Sequence, residues 1–445
     1  MTQRSTDDAW TGRGGFILAA IGSAIGLGNI WRFSYVAGEN GGAAFLLVYG
    51  LCVLFIGLPV LLAEFVLGSR TRGDVMLAFS HRRAAGVWQG AGALAALVAF
   101  LILSYYSVIA GWARRYFAAY LNGTLPGLPR EALPDAFSDF LAHPWQPVLW
   151  HALFMTITAL VVAAGIARGI ELASRILMPV LAAMVILLAG YALSLPGASR
   201  GLAFLFAPDW SALATPRLYL AALGQAFFSL GVAMGVMITY AGYIRSRERL
   251  ASSAVIVAVG DTFFAIVAGM AIFPIVFAFG MDPAYGPALA FVTLPQVFAI
   301  MPAGAWIGIA FFFLLSAAAL TSAVSLLEVP VAIATRLGMP RAAAAAAIAL
   351  AAFLAGLPSA LGTSVWREIS IAGRGILEAV DFLAADLFLP IVGIAVVLFV
   401  GWALPRQDAL SGCGLPPSLA RAWLAVVRFV APVAMLLFLV TLALG

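Results

Sequence analysis

Hydrophobic positions along this chain fall into long, nearly unbroken runs joined by short polar connections. About eleven runs appear, near residues 15–37, 43–68, 90–120, 147–165, 170–195, 218–243, 252–280, 303–334, 342–360, 375–403 and 422–444. A helix crosses the hydrocarbon of a bilayer with roughly 20 apolar residues. Backbone groups in lipid must pair within their own segment, so each run is predicted to be a helix. A transmembrane barrel would instead show alternating segments of about ten residues. The first run carries Asn29 and Arg32 and lacks a small-residue cleavage site, so it does not read as a signal peptide.

Two runs are interrupted at matching places. The first holds Gly22, Gly26 and Gly28 at mid-span, and the sixth holds Gly231 and Gly235. Glycine costs a helix interior roughly 1 kcal/mol against alanine, so the first run is a candidate to unwind at membrane depth; the signal in the sixth is weaker. Broken helices at corresponding positions of two halves point to a transporter of inverted repeats with a site near the midplane. Close helix packing of the Gly-x-x-x-Gly kind is the other reading, which Gly22 and Gly26 fit.

Composition supports lipid as the solvent. Hydrophobic residues make up 64% of the chain and charged residues 10%, against about 25% charged in an ordinary soluble domain. Every basic residue is arginine. Arginines cluster in alternate connections: Arg4 and Arg13, then Arg70 and Arg72, Arg168 and Arg175, Arg245 to Arg249, Arg336 and Arg341, and Arg406. The positive-inside rule therefore predicts a cytoplasmic N-terminus. The net charge of +5 reads as this orientation signal, and nucleic acid is not an expected partner. Cys52 and Cys413 fall on different sides of such a topology, which argues against a disulfide. No cluster of cysteine and histidine suggests haem, an iron–sulfur centre or zinc.

One stretch is more specific. Residues 22–33, Gly-Ser-Ala-Ile-Gly-Leu-Gly-Asn-Ile-Trp-Arg-Phe, followed by Glu39-Asn40-Gly41-Gly42, resemble the signature of the neurotransmitter:sodium symporter family, which includes a bacterial leucine transporter. Further matches run in order: Gly57 and Pro59 with Glu64, Tyr105 and Tyr106 with Trp112, Gly224 to Ser229, Thr239 to Tyr243, Leu320 to Ser322 with Ser325 to Glu328, and Asp381. The resemblance implies an all-α membrane protein, a single transporter domain over 1–445. It implies two inverted five-helix repeats, about 14–195 and 217–404, with helices 1 and 6 broken, and an additional helix at about 421–444.

By the same resemblance, two sodium ions are expected. One site would use Ala24, Asn29, Ser229 and Asp261, and the other Gly22, Ile25, Ala318, Thr321 and Ser322. Oxygen ligands of this kind suit a hard cation; for Thr321 and Ser322 ordinary helix–helix hydrogen bonding is the alternative. The substrate carboxylate would meet the amides of Gly26, Leu27 and Gly28 at a half-helix start, with Tyr106 donating its hydroxyl. Gly26 stands where amine carriers of the family have aspartate, so an amino acid is expected. The pocket would comprise Ala24, Ile102, Tyr106, Ile109, Phe228, Ser229, Gly231, Met234, Ser322 and Leu326. No charge lies among these side chains, so neutral, largely hydrophobic substrates are expected. Gly231 and Met234 replace a serine and a phenylalanine of the leucine transporter, which suggests room for bulky or aromatic side chains. Helix packing is the alternative for Gly231.

Gates are expected from Arg32 and Asp381 on the outer side, with Gln225 supporting Arg32 and with Phe228 and Tyr106 as the lid beneath. On the inner side Trp10 is preceded by Asp7 where the family has a basic residue, and Arg336 stands where the family has aspartate. An Asp7–Arg336 latch with exchanged signs is the expectation; two unrelated surface residues are the alternative. Asp261 is a fixed carboxylate beside the first sodium site and should make chloride unnecessary. Glu64 could balance charge or carry a proton.

The function expected is sodium-coupled import of neutral amino acids by alternating access across a bacterial inner membrane. A proton-coupled carrier of the same fold and a non-transporting sensor are the alternatives. No enzyme chemistry, no channel filter and no obligate protein partner is expected; the partners are the amino acid and membrane lipid.

Overall fold

The computed structural model describes residues 9–80, 85–207, 209–244, 249–281 and 289–444. Among these residues, nine helices are long and apolar enough to cross a membrane: Ala43–Thr71, Gly86–Leu121, Gln146–Ala163, Ile166–Leu193, Leu250–Ala278, Gly304–Arg336, Arg341–Leu361, Ile376–Ala403 and Pro417–Ala443. A tenth span is a pair of half-helices, Arg13–Ala24 and Gly28–Glu39, bent by 49° at their junction. The remaining apolar run divides into Pro216–Leu230 and Val236–Gly242. Counted in chain order with both broken runs included, these are the eleven segments expected from hydropathy.

The two breaks have local causes. The first half-helix stops where Ile25 turns extended, with φ −73° and ψ 103°. In the sixth span Gly231 (φ +62°) closes one half and Gly235 (φ +72°) opens the other. Left-handed backbone of this kind is nearly free only for glycine. Ala233 between them adopts φ +64° despite its Cβ, so neighbouring contacts must hold it there.

Burial separates the centre from the rim. In the most apolar stretch of Gly304–Arg336 72% of residues are buried, against 28% for Pro417–Ala443. Gly304–Arg336 packs along Gly86–Leu121, and these two spans support the broken first and sixth spans. Pro417–Ala443 lies at the periphery. Short helices Leu133–Ala142, Ala198–Phe206 and Thr293–Phe298, with a two-stranded hairpin Ser370–Ile371 to Arg374–Gly375, cap one end of the bundle. Val75–Ala78 and Arg406–Gly412 lie at the other.

Candidate functional site

The break of the first span frees polar backbone in the middle of the bundle. In an unbroken helix the Gly26 amide would bond the Gly22 carbonyl. Here it bonds Asn29 Oδ1 at 3.1 Å instead, so that carbonyl is released from the helical ladder. The Leu27 amide donates to the Tyr106 hydroxyl at 3.1 Å. Gln225 Nε2 donates to the Gly28 carbonyl at 2.9 Å. Gln225 was expected to support Arg32; in the structure it braces the break.

Three predicted residues converge from three spans beside this break. Asn29 Nδ2 lies 2.6 Å from Asp261 Oδ1 and 3.1 Å from Ser229 Oγ. Ser229 Oγ donates to Asp261 Oδ2 at 2.7 Å, and the Tyr49 hydroxyl reaches Ser229 Oγ at 3.2 Å. Asp261 is fully buried, and among the described residues no arginine forms an ion pair with it. A buried carboxylate of this kind calls for a cation, and the donors around it are all oxygen and amide groups.

The second predicted cluster also assembles. Thr321 Oγ1 donates to the Ala318 carbonyl at 2.9 Å and approaches the Ile25 carbonyl at 3.4 Å. Ser322 Oγ donates to the Ser23 carbonyl at 2.9 Å and lies 3.5 Å from that of Ile25. The released Gly22 carbonyl belongs to the same turn. Three hard oxygens of the eighth span, the Ala318 carbonyl and the hydroxyls of Thr321 and Ser322, thus face the broken end of the first. The chemistry of both clusters fits an alkali cation.

Between the clusters lies a small cavity of about 30 Å³. Its lining includes Ala24, Gly26, Gly28, Ile102, Tyr106, Phe228, Gly231, Met234, Ser322 and Leu326, all predicted. Ser23, Val236 and Ser325 line it too and were not foreseen. Leu27 and Ile109 instead face a larger cavity of about 340 Å³, which shares Gly28, Tyr106 and Phe228 with the smaller one. Phe228 and Tyr106 therefore form a partition between the larger cavity and the smaller one. A Cβ built on Gly26 would stand 2.8 Å from the Tyr106 hydroxyl and collide with Ser322. One built on Gly231 would meet nothing closer than 3.6 Å, so that glycine serves the turn and leaves open space as well.

Arg32 and Asp381 both line the larger cavity. They form no ion pair with each other. The Arg32 guanidinium sits over the Phe228 ring, 4.5 Å from its centroid.

The opposite end of the bundle is tied by a set of polar contacts. Trp10 is buried, and its Nε1 donates to the Tyr240 carbonyl at 2.8 Å. The Thr11 amide donates to Glu171 Oε2 at 2.9 Å, and Arg175 bonds the same carboxylate at 2.6 Å. Asp7 lies outside the described residues. Arg336 bonds Asp74, a buried residue that also caps the short helix Val75–Ala78 through the amides of Met76 and Leu77. Nearby, Glu328 takes the Tyr243 hydroxyl at 2.6 Å and Arg341 Nη2 at 2.5 Å.

Asp74, Glu171 and Glu328 were not foreseen as latch residues. For Asp74 and Glu171 the signal in the sequence is an acidic side chain close to an arginine-rich end of a span; Glu328 closes one of the family motifs but carried no latch role there. Glu64 is placed more specifically than expected: it is fully buried and its Oε1 accepts the Ala233 amide at 2.6 Å. It thereby holds the left-handed turn of the sixth span.

Comparison with known proteins agrees with this geometry. The model of the sodium:neurotransmitter symporter family matches residues 7–129 and 141–444. YhdH of Bacillus subtilis, described as an uncharacterized sodium-dependent transporter, is 35% identical over 97% of each chain. A sodium-dependent transporter of Haemophilus influenzae is 32% identical over 99% of each. A crystal structure of MhsT in complex with L-phenylalanine is similar with a TM-score of 0.92 and 49% identity, over 97% of this chain and 99% of that one.

Proposed function

The chain belongs to the sodium:neurotransmitter symporter family, and from this premise we propose that it imports neutral, largely hydrophobic L-amino acids together with sodium. The observation that carries the reading is the buried Asn29–Ser229–Asp261 cluster set against the broken first span. A fixed carboxylate, freed backbone oxygens and a half-helix start meet there beside one small cavity.

In this reading Ala24, Asn29, Ser229 and Asp261 hold one sodium ion. Gly22, Ile25, Ala318, Thr321 and Ser322 hold a second. The substrate carboxylate takes over the Leu27 amide and the Tyr106 hydroxyl, which bond each other in the present arrangement. Positive partial charge at the half-helix start favours that exchange. Carboxylate and first sodium then neutralise each other, which couples the two fluxes.

The side-chain pocket is uncharged, and MhsT, at 49% identity, was solved with L-phenylalanine. Both facts support an apolar substrate, including aromatic ones. A cavity of about 30 Å³ holds no such side chain without movement. Met234 is flexible enough to repack, and Phe228 is the lid whose rotation would join the two cavities. Asp261 supplies the negative charge beside the first ion, so chloride is not required.

The latched end carrying Trp10 faces the cytoplasm of a bacterial inner membrane, as the alternating arginines imply. The 340 Å³ cavity then opens outward. Alternating access would close Arg32 onto Asp381 and release the contacts of Asp74, Glu171 and Glu328.

Competition against labelled L-phenylalanine on purified protein tests this reading. Leucine, tyrosine and tryptophan should displace the label in sodium and fail to do so in potassium. Alanine and glycine emerging as the strongest competitors would contradict the pocket assignment.

A further inference from the structure

A second ligand-binding feature lies away from the transport path, where the tenth and eleventh spans join. Ile376–Ala403 ends, the short helix Arg406–Gly412 turns aside, and Pro417–Ala443 begins. Between them runs a groove of about 520 Å³. Leu410, Leu415 and Ala420 line its apolar floor, and Arg406 and Arg421 stand on it with Gln407.

Neither arginine has an acidic partner among the described residues. Arg421 Nε bonds only the Pro417 carbonyl of its own helix, at 3.2 Å. The acidic residue of the short helix, Asp408, does not neutralise them. It faces a separate polar cavity, where its carboxylate lies 3.8 Å from Arg70. The groove thus presents two positive charges over an apolar surface.

We propose that this groove binds an anionic phospholipid, with the headgroup phosphate between Arg406 and Arg421 and an acyl chain along Leu410 and Leu415. Guanidinium groups match phosphate oxygens with paired hydrogen bonds. The apolar floor fits a chain and gives free phosphate nothing to hold. The location fits a leaflet rather than water. Pro417–Ala443 is the least buried of the nine unbroken spans, and Trp402 beside it is exposed, with its Nε1 bonded to the Arg428 carbonyl at 3.4 Å. Tryptophan at a span's end marks the headgroup level. Juxtamembrane arginines attract anionic lipid there.

Native mass spectrometry of the full-length protein, titrated with phosphatidylglycerol, phosphatidylcholine or inorganic phosphate, tests the proposal. The wild type should retain phosphatidylglycerol over phosphatidylcholine by roughly tenfold to thirtyfold, the size expected for two basic groups at a membrane surface. R406Q/R421Q should lose that preference, and R406K/R421K should keep most of it. Leu415→Trp, which fills the groove and leaves both arginines, should also release the lipid. Equal retention of the two lipids by the wild type, or unchanged retention in R406Q/R421Q or Leu415→Trp, would overturn the proposal. Displacement of phosphatidylglycerol by millimolar inorganic phosphate would overturn it too, leaving a simple anion site.

Discussion

The amide nitrogen of Asn29 stands 2.6 Å from Oδ1 of Asp261, joining the broken first span to the seventh inside the bundle. Ser229 bonds the other carboxylate oxygen from the sixth. Three spans therefore meet on one buried carboxylate that pairs with no arginine among the described residues. Asp261→Asn keeps an oxygen ligand and removes the charge. The half-saturating sodium concentration should rise roughly tenfold or more, since opposite charges a few ångströms apart interact strongly when buried. Wild-type uptake should be indifferent to gluconate in place of chloride, and only the neutral variant should gain a chloride stimulation. Uptake at graded sodium, with each anion, reads both effects.

Tyr106 holds the Leu27 amide and lines the small cavity. Tyr106→Phe removes a hydrogen bond to the substrate carboxylate and leaves the ring in place. A hydrogen bond to a charged group contributes about 1.5–3 kcal/mol, so KM for the amino acid should rise tenfold or more. Sodium binding without substrate should change little. Initial-rate kinetics and a sodium-dependent melting shift separate the two.

Glu64 and Ala233 form another joint. The Glu64 carboxylate takes the amide of a residue held at φ +64°. Glu64→Gln keeps a carbonyl acceptor, and Glu64→Ala leaves a buried N–H unpaired at a cost of about 1–3 kcal/mol. The glutamine variant should retain transport, and the alanine variant should lose both transport and thermal stability. Melting curves and uptake measured on the same preparations check the order.

At the latched end, Asp74 caps a helix and binds Arg336 at once. Removing one partner of a buried pair costs about 3–5 kcal/mol; Arg336 is 35% exposed, which lowers that figure. Arg336→Gln strands a buried carboxylate, whereas Asp74→Asn keeps the cap. The first should therefore be the less stable, and the double variant should match Asp74→Asn. Additive losses in thermal unfolding would argue against a coupled pair.

Much of this architecture is written locally. Runs of apolar residues set the spans, and glycines mark both breaks: Gly231 and Gly235 by their left-handed backbone, and Gly26 by the close approach of Ser322 and Tyr106. Asn29, Ser229, Thr321 and Ser322 were legible through their motifs and Asp261 through the family resemblance; Asn29, Ser229 and Asp261 converge in one cluster, and Thr321 and Ser322 face the first span in another. Pairings between loops were not legible. Arg336 finds Asp74, 262 residues away in sequence, and nothing in the periodicity of either segment encodes that meeting. Gln225 reached the Gly28 carbonyl instead of Arg32, because a broken helix exposes backbone acceptors that a side-chain motif does not reveal. Arg32 and Asp381 share a cavity without touching.

Sodium coupling is the central claim, and accumulation in sealed proteoliposomes tests it most directly. An inward sodium gradient should drive labelled L-phenylalanine above its external concentration, and collapsing that gradient with potassium on both sides should abolish the accumulation. Accumulation that follows an inward proton gradient and ignores sodium would contradict the assignment of Asp261 and its neighbours to a sodium ion.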